Sequence, residues 1–200
     1  MIDIEYCKTF DEPPVDRSEI LRYIGAKEET KELAPEIDFC LKEMLPKLTY
    51  RACCKEYPVK TENGKIVFPF GKVTSKSLSV NLKGCDFAII FGATVGIEAD
   101  RLISKYSLCS PLKACIMQGI GTERAESLCE AFEKDIIKNY GYTLKPRFSP
   151  GYGDLSLEFQ KEIFSELNLS KNIGLTLKDN LIMAPTKSVT AIIGVKNDNS

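Results

Sequence analysis

The run CDFAIIFGATVG, residues 85–96, decides how the chain must be read. It is apolar at consecutive positions, rich in β-favouring Ile, Phe and Val, and bounded by glycine before it could make a helix. Such a run is a strand buried on both faces, which puts it inside a sheet covered by other elements. The segment that follows, IEADRLISKYS, is helical by period. GATVG, residues 92–96, therefore sits where a phosphate loop would be. It is neither G-x-G-x-x-G nor a P-loop, and no Gly-Lys-Ser/Thr follows, so its glycines serve a tight strand-to-helix turn.

Upstream, TYRACCKEYPVK reads as a strand and ENGK as a hairpin turn into KIVFPF. Ser75 opens a short helix toward Leu82, ended by Lys83-Gly84. Earlier still, residues 1–15 carry Pro13-Pro14 and form an arm or edge segment. Asp16 or Ser18 caps a first helix through SEILRYIG, closed by Gly25. A second helix runs from about Glu28 to Leu45, with Leu33, Ile37, Cys40, Leu41 and Met44 recurring at three and four. Pro46 ends it, and Pro35 offers a later start.

Downstream lies the longest helical pattern, from about Pro111 to Tyr140. Ala125, Leu128, Cys129, Phe132, Ile136 and Tyr140 make one apolar stripe, and Gly119 and Gly121 mark a tight contact or a kink. LSLEFQKEIFSELN is an amphipathic helix, GLTLKDNLIMAP and KSVTAIIGVKN are the last strands, and the polar end NDNS frays. Strands, paired helices and strands again do not give a regular βαβ alternation. The reading is α+β, a single domain over residues 1–200 with an antiparallel or mixed sheet.

Composition narrows the function. The 27 basic and 28 acidic residues leave a net charge of -1 with no basic stripe, which argues against nucleic acid. No apolar run reaches membrane-spanning length, and the acidic start is unlike a signal peptide, so no membrane partner and a cytoplasmic location are expected. Eight cysteines sit in apolar segments such as IDFCLKEML and LKACIM, where a thiol acts as a small hydrophobe. With no histidine and no C-x-x-C pair, neither a metal site nor an activated cysteine nucleophile is expected. The scattered lysines of KEYPVK and VKTENGK read as a solvated face.

One loop stands apart. In PRFSPGYGD, residues 146–154, Pro150 fixes its own φ and holds Ser149 extended, while Gly151 admits conformations closed to other residues. The loop is stiff, offers peptide groups, and aims Arg147 and Tyr152 in set directions. A guanidinium captures a carboxylate through two bonds, and a tyrosine ring can lie against a cation. A structural turn with a surface arginine fits the residues equally well. Glu126, at the margin of the long helix's stripe beside Ala125 and Cys129, is either at the waterline or a ligand contact.

These residues resemble a known family, the activation domain of cobalamin-dependent methionine synthase. R-x-x-x-G-Y at Arg147–Tyr152 looks like its S-adenosylmethionine loop, and Gly121-Thr122 followed by Glu126 is similar to its G-[ST]-x-x-x-E. Gly174 and Leu177 keep its G-x-x-L spacing, and Met183, Pro185, Ser188 and Val189 its M-x-P-x-x-S-V. With FGATVGIEADRLI, the resemblance covers roughly residues 85–195. It departs in lacking tryptophan, and hence a counterpart of the family's aspartate-bearing segment, in lacking a tyrosine after the final motif, and in reading Gly153-Asp154-Leu155 after Gly-Tyr.

The resemblance implies a C-shaped α+β domain around a twisted antiparallel sheet. It implies that Arg147 pairs with the carboxylate of S-adenosylmethionine and Glu126 with its ammonium. The backbone of Phe148, Ser149, Pro150 and Gly151 would receive the adenine or the ligand's chain, and Tyr152 would lie near the sulfonium methyl, facing the corrin. No cobalamin motif can exist without histidine, so the cobalamin would be carried by a partner, the cobalamin-binding module of a methionine synthase lacking its own activation domain. The electron would come from flavodoxin or another donor. The expected function is an activation subunit acting in trans to remethylate cob(II)alamin. The alternatives are a non-catalytic S-adenosylmethionine sensor or corrinoid-protein-binding module, and, least supported, a self-contained methyltransferase.

Overall fold

The 85–96 run forms strand β6 (Phe87–Thr94), the middle strand of the main sheet. The computed structural model of the chain describes residues 6–62 and 65–196. Within them β6 lies between β2 (Tyr50–Pro58) and β10 (Ser188–Lys196), with β1 (Tyr6–Phe10) outside β2 and β7 (Thr143–Leu144) outside β10. Every junction is antiparallel.

Because side chains alternate along a strand, β6 feeds two cores at once. Ile89, Phe91 and Ala93 join one buried cluster, whereas Ala88 and Ile90 join the other. The first face is covered by α1 (Arg17–Ile24), α2 (Leu33–Met44), α4 (Glu98–Ser107) and α5 (Pro111–Tyr140), through residues such as Ile20, Ile37, Leu102 and Phe132. The second face carries α3 (Lys76–Asn81), α6 (Gln160–Glu166) and α7 (Leu169–Ile173). A small sheet of β3 (Lys60–Glu62), β4 (Lys65–Phe68) and β5 (Gly71–Val73) completes it. β8 (Thr176–Leu177) and β9 (Met183–Ala184) form a short ribbon leading into β10. The result is the expected α+β architecture, a curled antiparallel sheet with helices on its faces.

Local signals account for the elements that frame the site. Asp16 is the N-cap of α1, its carboxylate accepting from the amides of Ser18 and Glu19, and Gly25 closes the helix at φ 74°. The long helix α5 starts at Pro111 and stops where Gly141 takes a left-handed conformation. Its two early glycines are packing contacts, and the helix runs on through them. A Cβ at Gly119 would come within 2.5 Å of Ile24 on α1, and one at Gly121 within 3.0 Å of the Lys187 stem.

Several expectations need adjustment. α2 begins at Leu33, placing Pro35 in its first turn, where the missing amide costs no helical bond. The helix expected over 155–168 is broken. A 3-10 turn at Leu157–Phe159 leads into α6, and Asn168 at φ 44° separates it from α7. Of the two readings of the N-terminal segment, arm or edge, the described part bears out the edge, since Tyr6–Phe10 is the edge strand β1. Residues 63–64 of the ENGK turn and the polar end 197–200 lie outside the described residues, although Glu62 and Lys65 pair across that turn. The cysteines divide: burial pushes the Cys54 and Cys129 thiols up to about 12 and Cys40 to about 11, as inert core thiols should be. Cys7 and Cys53, however, stand opposite each other on β1 and β2 and are joined as a disulfide, and Cys109 and Cys115 are exposed. A partner strand's register and an outward helical position are not visible in local apolar context. No helix among the described residues is long and apolar enough to cross a membrane.

Candidate functional site

The loop at 146–154 is fastened at three points. Phe148 exchanges both backbone hydrogen bonds with Ile192 of β10, at 2.9 Å each. The Asn81 side chain donates to the Pro146 carbonyl at 3.1 Å. Asp154 reaches the start of α3, accepting from the Ser75 hydroxyl and from the amides of Lys76 and Ser77. Those bonds hold its carboxyl well below the usual aspartate range. Between these anchors the chain turns tightly. Tyr152 N–H donates to the Ser149 carbonyl and Gly151 N–H to the Leu155 carbonyl, with Gly151 at φ 91° and Gly153 at φ 53°. A side chain at Gly153 would meet Ser77 at 2.8 Å, so both the conformation and the space require glycine there. Pro150 is buried behind the turn.

This fixing delivers Arg147 to the face of α5. Its Nη2 donates to Glu126 at 2.9 Å, and its Nε lies 3.2 Å from Glu133. Its Nη1 is buried and has no hydrogen-bond partner among the described residues. Burial works against the guanidinium, but the neighbouring Glu133 and Glu126 carboxylates help to outweigh it and hold Arg147 charged. Glu133 is held above the ordinary glutamate value by burial, which the Arg147 charge opposes. Glu126 and Glu133 are seven residues apart on one helix, hence two turns apart on one face, and Arg147 bridges them.

Beside this triad is a cleft of about 390 Å³ lined by Glu126, Glu133, Pro146, Arg147, Ser149, Tyr152 and Val189. Four sequence-predicted residues, Glu126, Arg147, Ser149 and Tyr152, thus meet around one cavity. Phe148, Pro150 and Gly151 do not line it: the Phe148 peptide is engaged with Ile192, Pro150 packs inward, and the Gly151 amide closes the turn. Tyr152 is 60% exposed at the rim, its ring edge-on to Phe148 with centroids 6.2 Å apart. Glu133 was missed by sequence reasoning. Its signal was available, since it repeats the Glu126 position two turns later.

Of the other motif residues Val189 lines the cleft, and several of the rest fix the entry into its strand β10. Gly121 lets the Lys187 stem cross α5, and the Lys187 ammonium donates to the Gln118 carbonyl at 3.0 Å and the Thr122 hydroxyl at 2.9 Å. The Ser188 hydroxyl donates to the Pro185 carbonyl and meets the Thr94 hydroxyl at 2.8 Å, which fixes the entry into β10 just before Val189. Asp100 of α4 accepts from the amide and hydroxyl of Thr186.

A second groove, about 660 Å³, runs between residues 13–17 with Tyr23 and the outer face of α5. It is larger, yet of the predicted residues only Glu126 reaches it, so the cleft at the loop is the better candidate. Its inner wall is built on a buried ion pair. Arg124 is bonded to Glu123, donates to the carbonyls of Pro13 and Pro14, and is wholly buried.

The cleft combines one guanidinium, two carboxylates, a hydroxyl and an exposed phenol. It has the groups to hold an amino-acid head. No family model matches the chain, and no curated protein matches it. Among solved structures it is similar to the crystal structure of the MetH reactivation domain bound to AdoHcy. The TM-score is 0.67 at 18% identity, and the match covers 90% of this chain and 70% of that one. The chain has the fold of the MetH reactivation domain.

Proposed function

We propose that this protein is an S-adenosylmethionine-binding activation subunit. It supports reductive remethylation of cob(II)alamin carried by a separate methionine synthase. The observation that carries the reading is the meeting of Arg147 and Glu126 at one cleft under a rigid loop. The fold adds support, since it is that of a domain solved with AdoHcy bound.

Chemically, the Arg147–Glu126 pair is a template for an amino-acid head. A ligand's carboxylate takes the guanidinium and its ammonium takes the glutamate, so one internal ion pair is exchanged for two to the ligand. Ser149, the loop residue between Arg147 and Tyr152 that lines the cleft, receives the nucleoside or the chain, while Phe148 serves as the loop's anchor. Tyr152, exposed at the rim, lies beside the methyl group and toward the docked corrin. Cobalamin is brought by the partner and supplies the nucleophilic metal. The residues of this chain bind, orient and exclude water. Flavodoxin or a similar donor supplies the electron.

The test is a reconstitution. A cobalamin-loaded module of a methionine synthase without an activation domain is held as cob(II)alamin with a one-electron donor, and methylcobalamin is followed spectroscopically. Methylcobalamin should appear only when this protein and S-adenosylmethionine are both present. Ligand binding without any acceleration would reduce the role to sensing.

A further inference from the structure

The cleft beneath the loop carries unbalanced charge. Its charged lining groups are Glu126, Glu133 and Arg147, two anions against one cation. The neighbours on α5 do not correct the count, because Glu130 and Lys134 pair with each other at 3.6 Å. We infer that Glu133 makes the cleft selective for a ligand of net charge plus one, an amino-acid head joined to a sulfonium, over the neutral thioether of the same shape. This rests on the reading of the cleft as an S-adenosylmethionine site.

The geometry gives each charge a counterpart. Arg147 and Glu126 match the carboxylate and ammonium of the ligand's head, which together are neutral. Glu133 is then left facing the same cleft, with its side chain 27% exposed. Half-buried charges are screened less than surface ones, so a second cationic centre in the cleft feels this carboxylate. The neutral thioether has nothing to offer it.

The selectivity has a use in turnover. When the methyl group passes to an acceptor nucleophile, the carbon–sulfur bond breaks with its electron pair kept on sulfur, and the ligand becomes neutral. The cleft then holds the product less tightly than the incoming sulfonium. Exchange is driven by the same carboxylate that favoured binding.

The experiment is calorimetric titration of S-adenosylmethionine and S-adenosylhomocysteine into the full chain, for wild type, Glu133→Gln and Glu43→Gln, the last a change at the end of α2 that does not touch the cleft. Glu133→Gln also removes a contact to Arg147, which weakens both ligands alike, so the ratio of their affinities isolates the charge. Wild type should prefer the sulfonium by roughly fivefold, as one partly screened charge would give. Glu133→Gln should bring the ratio close to one, and Glu43→Gln should leave it unchanged. A measurement on wild type alone stands even if the variant misfolds. Raising salt from about 0.05 to about 0.5 M, which shortens the Debye length from ~14 to ~4 Å, should shrink the preference. An unchanged ratio in folded Glu133→Gln, or a preference indifferent to salt, overturns the inference while the site survives. Failure of wild type to bind either ligand overturns the site itself.

Discussion

Replacing Arg124 with methionine should be among the most damaging single changes to this protein. Arg124 is wholly buried and Glu123 is 1% exposed. The guanidinium holds the Glu123 carboxylate, the carbonyls of Pro13 and Pro14, and the Ser127 hydroxyl. Methionine fills much of the volume but supplies no donor. The Glu123 charge would then be buried without a cation, and breaking a buried pair from one side costs about 3–5 kcal/mol. The two carbonyls would lose their donors as well, although the arm can lift and hydrate them, so a loss of about 4 kcal/mol is expected. That is a large part of the ~5–15 kcal/mol that stabilises a typical domain. Glu123→Gln added to Arg124→Met removes the orphaned charge and should recover about 2 kcal/mol. The assay is urea denaturation of wild type, both single variants and the double variant, read as a double-mutant cycle. Amide exchange should localise the damage to residues 13–19, because Glu123 also accepts from the Asp16 amide at 3.0 Å. A loss below about 1 kcal/mol, or strictly additive effects, would refute the reasoning, since it requires that the pair be buried and mutually dependent.

Other outcomes follow from single contacts. Gly119→Ala should destabilise by about 1–2 kcal/mol in the same assay. Its helix-propensity gain of up to ~1 kcal/mol is outweighed by a Cβ placed 2.5 Å from the branched, stiff Ile24. Gly121→Ala should fall within about 0.5 kcal/mol of wild type, because the flexible Lys187 stem can move aside. Asp154→Asn should loosen the loop, seen as faster amide exchange at Lys76 and Ser77. The folded value of Asp154 is depressed, so its contribution is complete above the unfolded aspartate value of ~3.9 and is lost as pH falls through the folded value. The difference between Asp154→Asn and wild type should therefore be steady above about pH 5 and close only in stronger acid.

Much of this architecture was legible because its causes are local. The central strand announced itself by unbroken apolar residues, and the long helix by its stripe and its span from Pro111 to Tyr140. Asp16, Ser75 and Gly25 marked helix ends through capping chemistry that works within three residues. What escaped depends on distant partners. The break at Asn168 needs a left-handed residue that only the packing of α7 onto the second core demands, and β7 is two residues long and exists only as a partner of β10. Cys7 and Cys53 meet because β1 and β2 have one register out of many. The site divides in the same way. Arg147, Ser149 and Tyr152 stood out by loop chemistry, and Glu126 by its place on the helix. That Arg147 would lie between Glu126 and Glu133 required knowing which face of α5 the loop crosses. The same knowledge separates Tyr152 at the rim from Pro150 behind the turn.

The central claim is that Arg147 and the loop bearing it form a site for S-adenosylmethionine, and calorimetric titration of that ligand into wild type and Arg147→Ala tests it most directly. Loss of a charge-assisted bidentate contact costs about 2–3 kcal/mol, so the variant should bind roughly 30- to 150-fold more weakly than a saturable wild type. Equal affinities in the two folded proteins, or no saturable binding to wild type at millimolar ligand, would contradict the account.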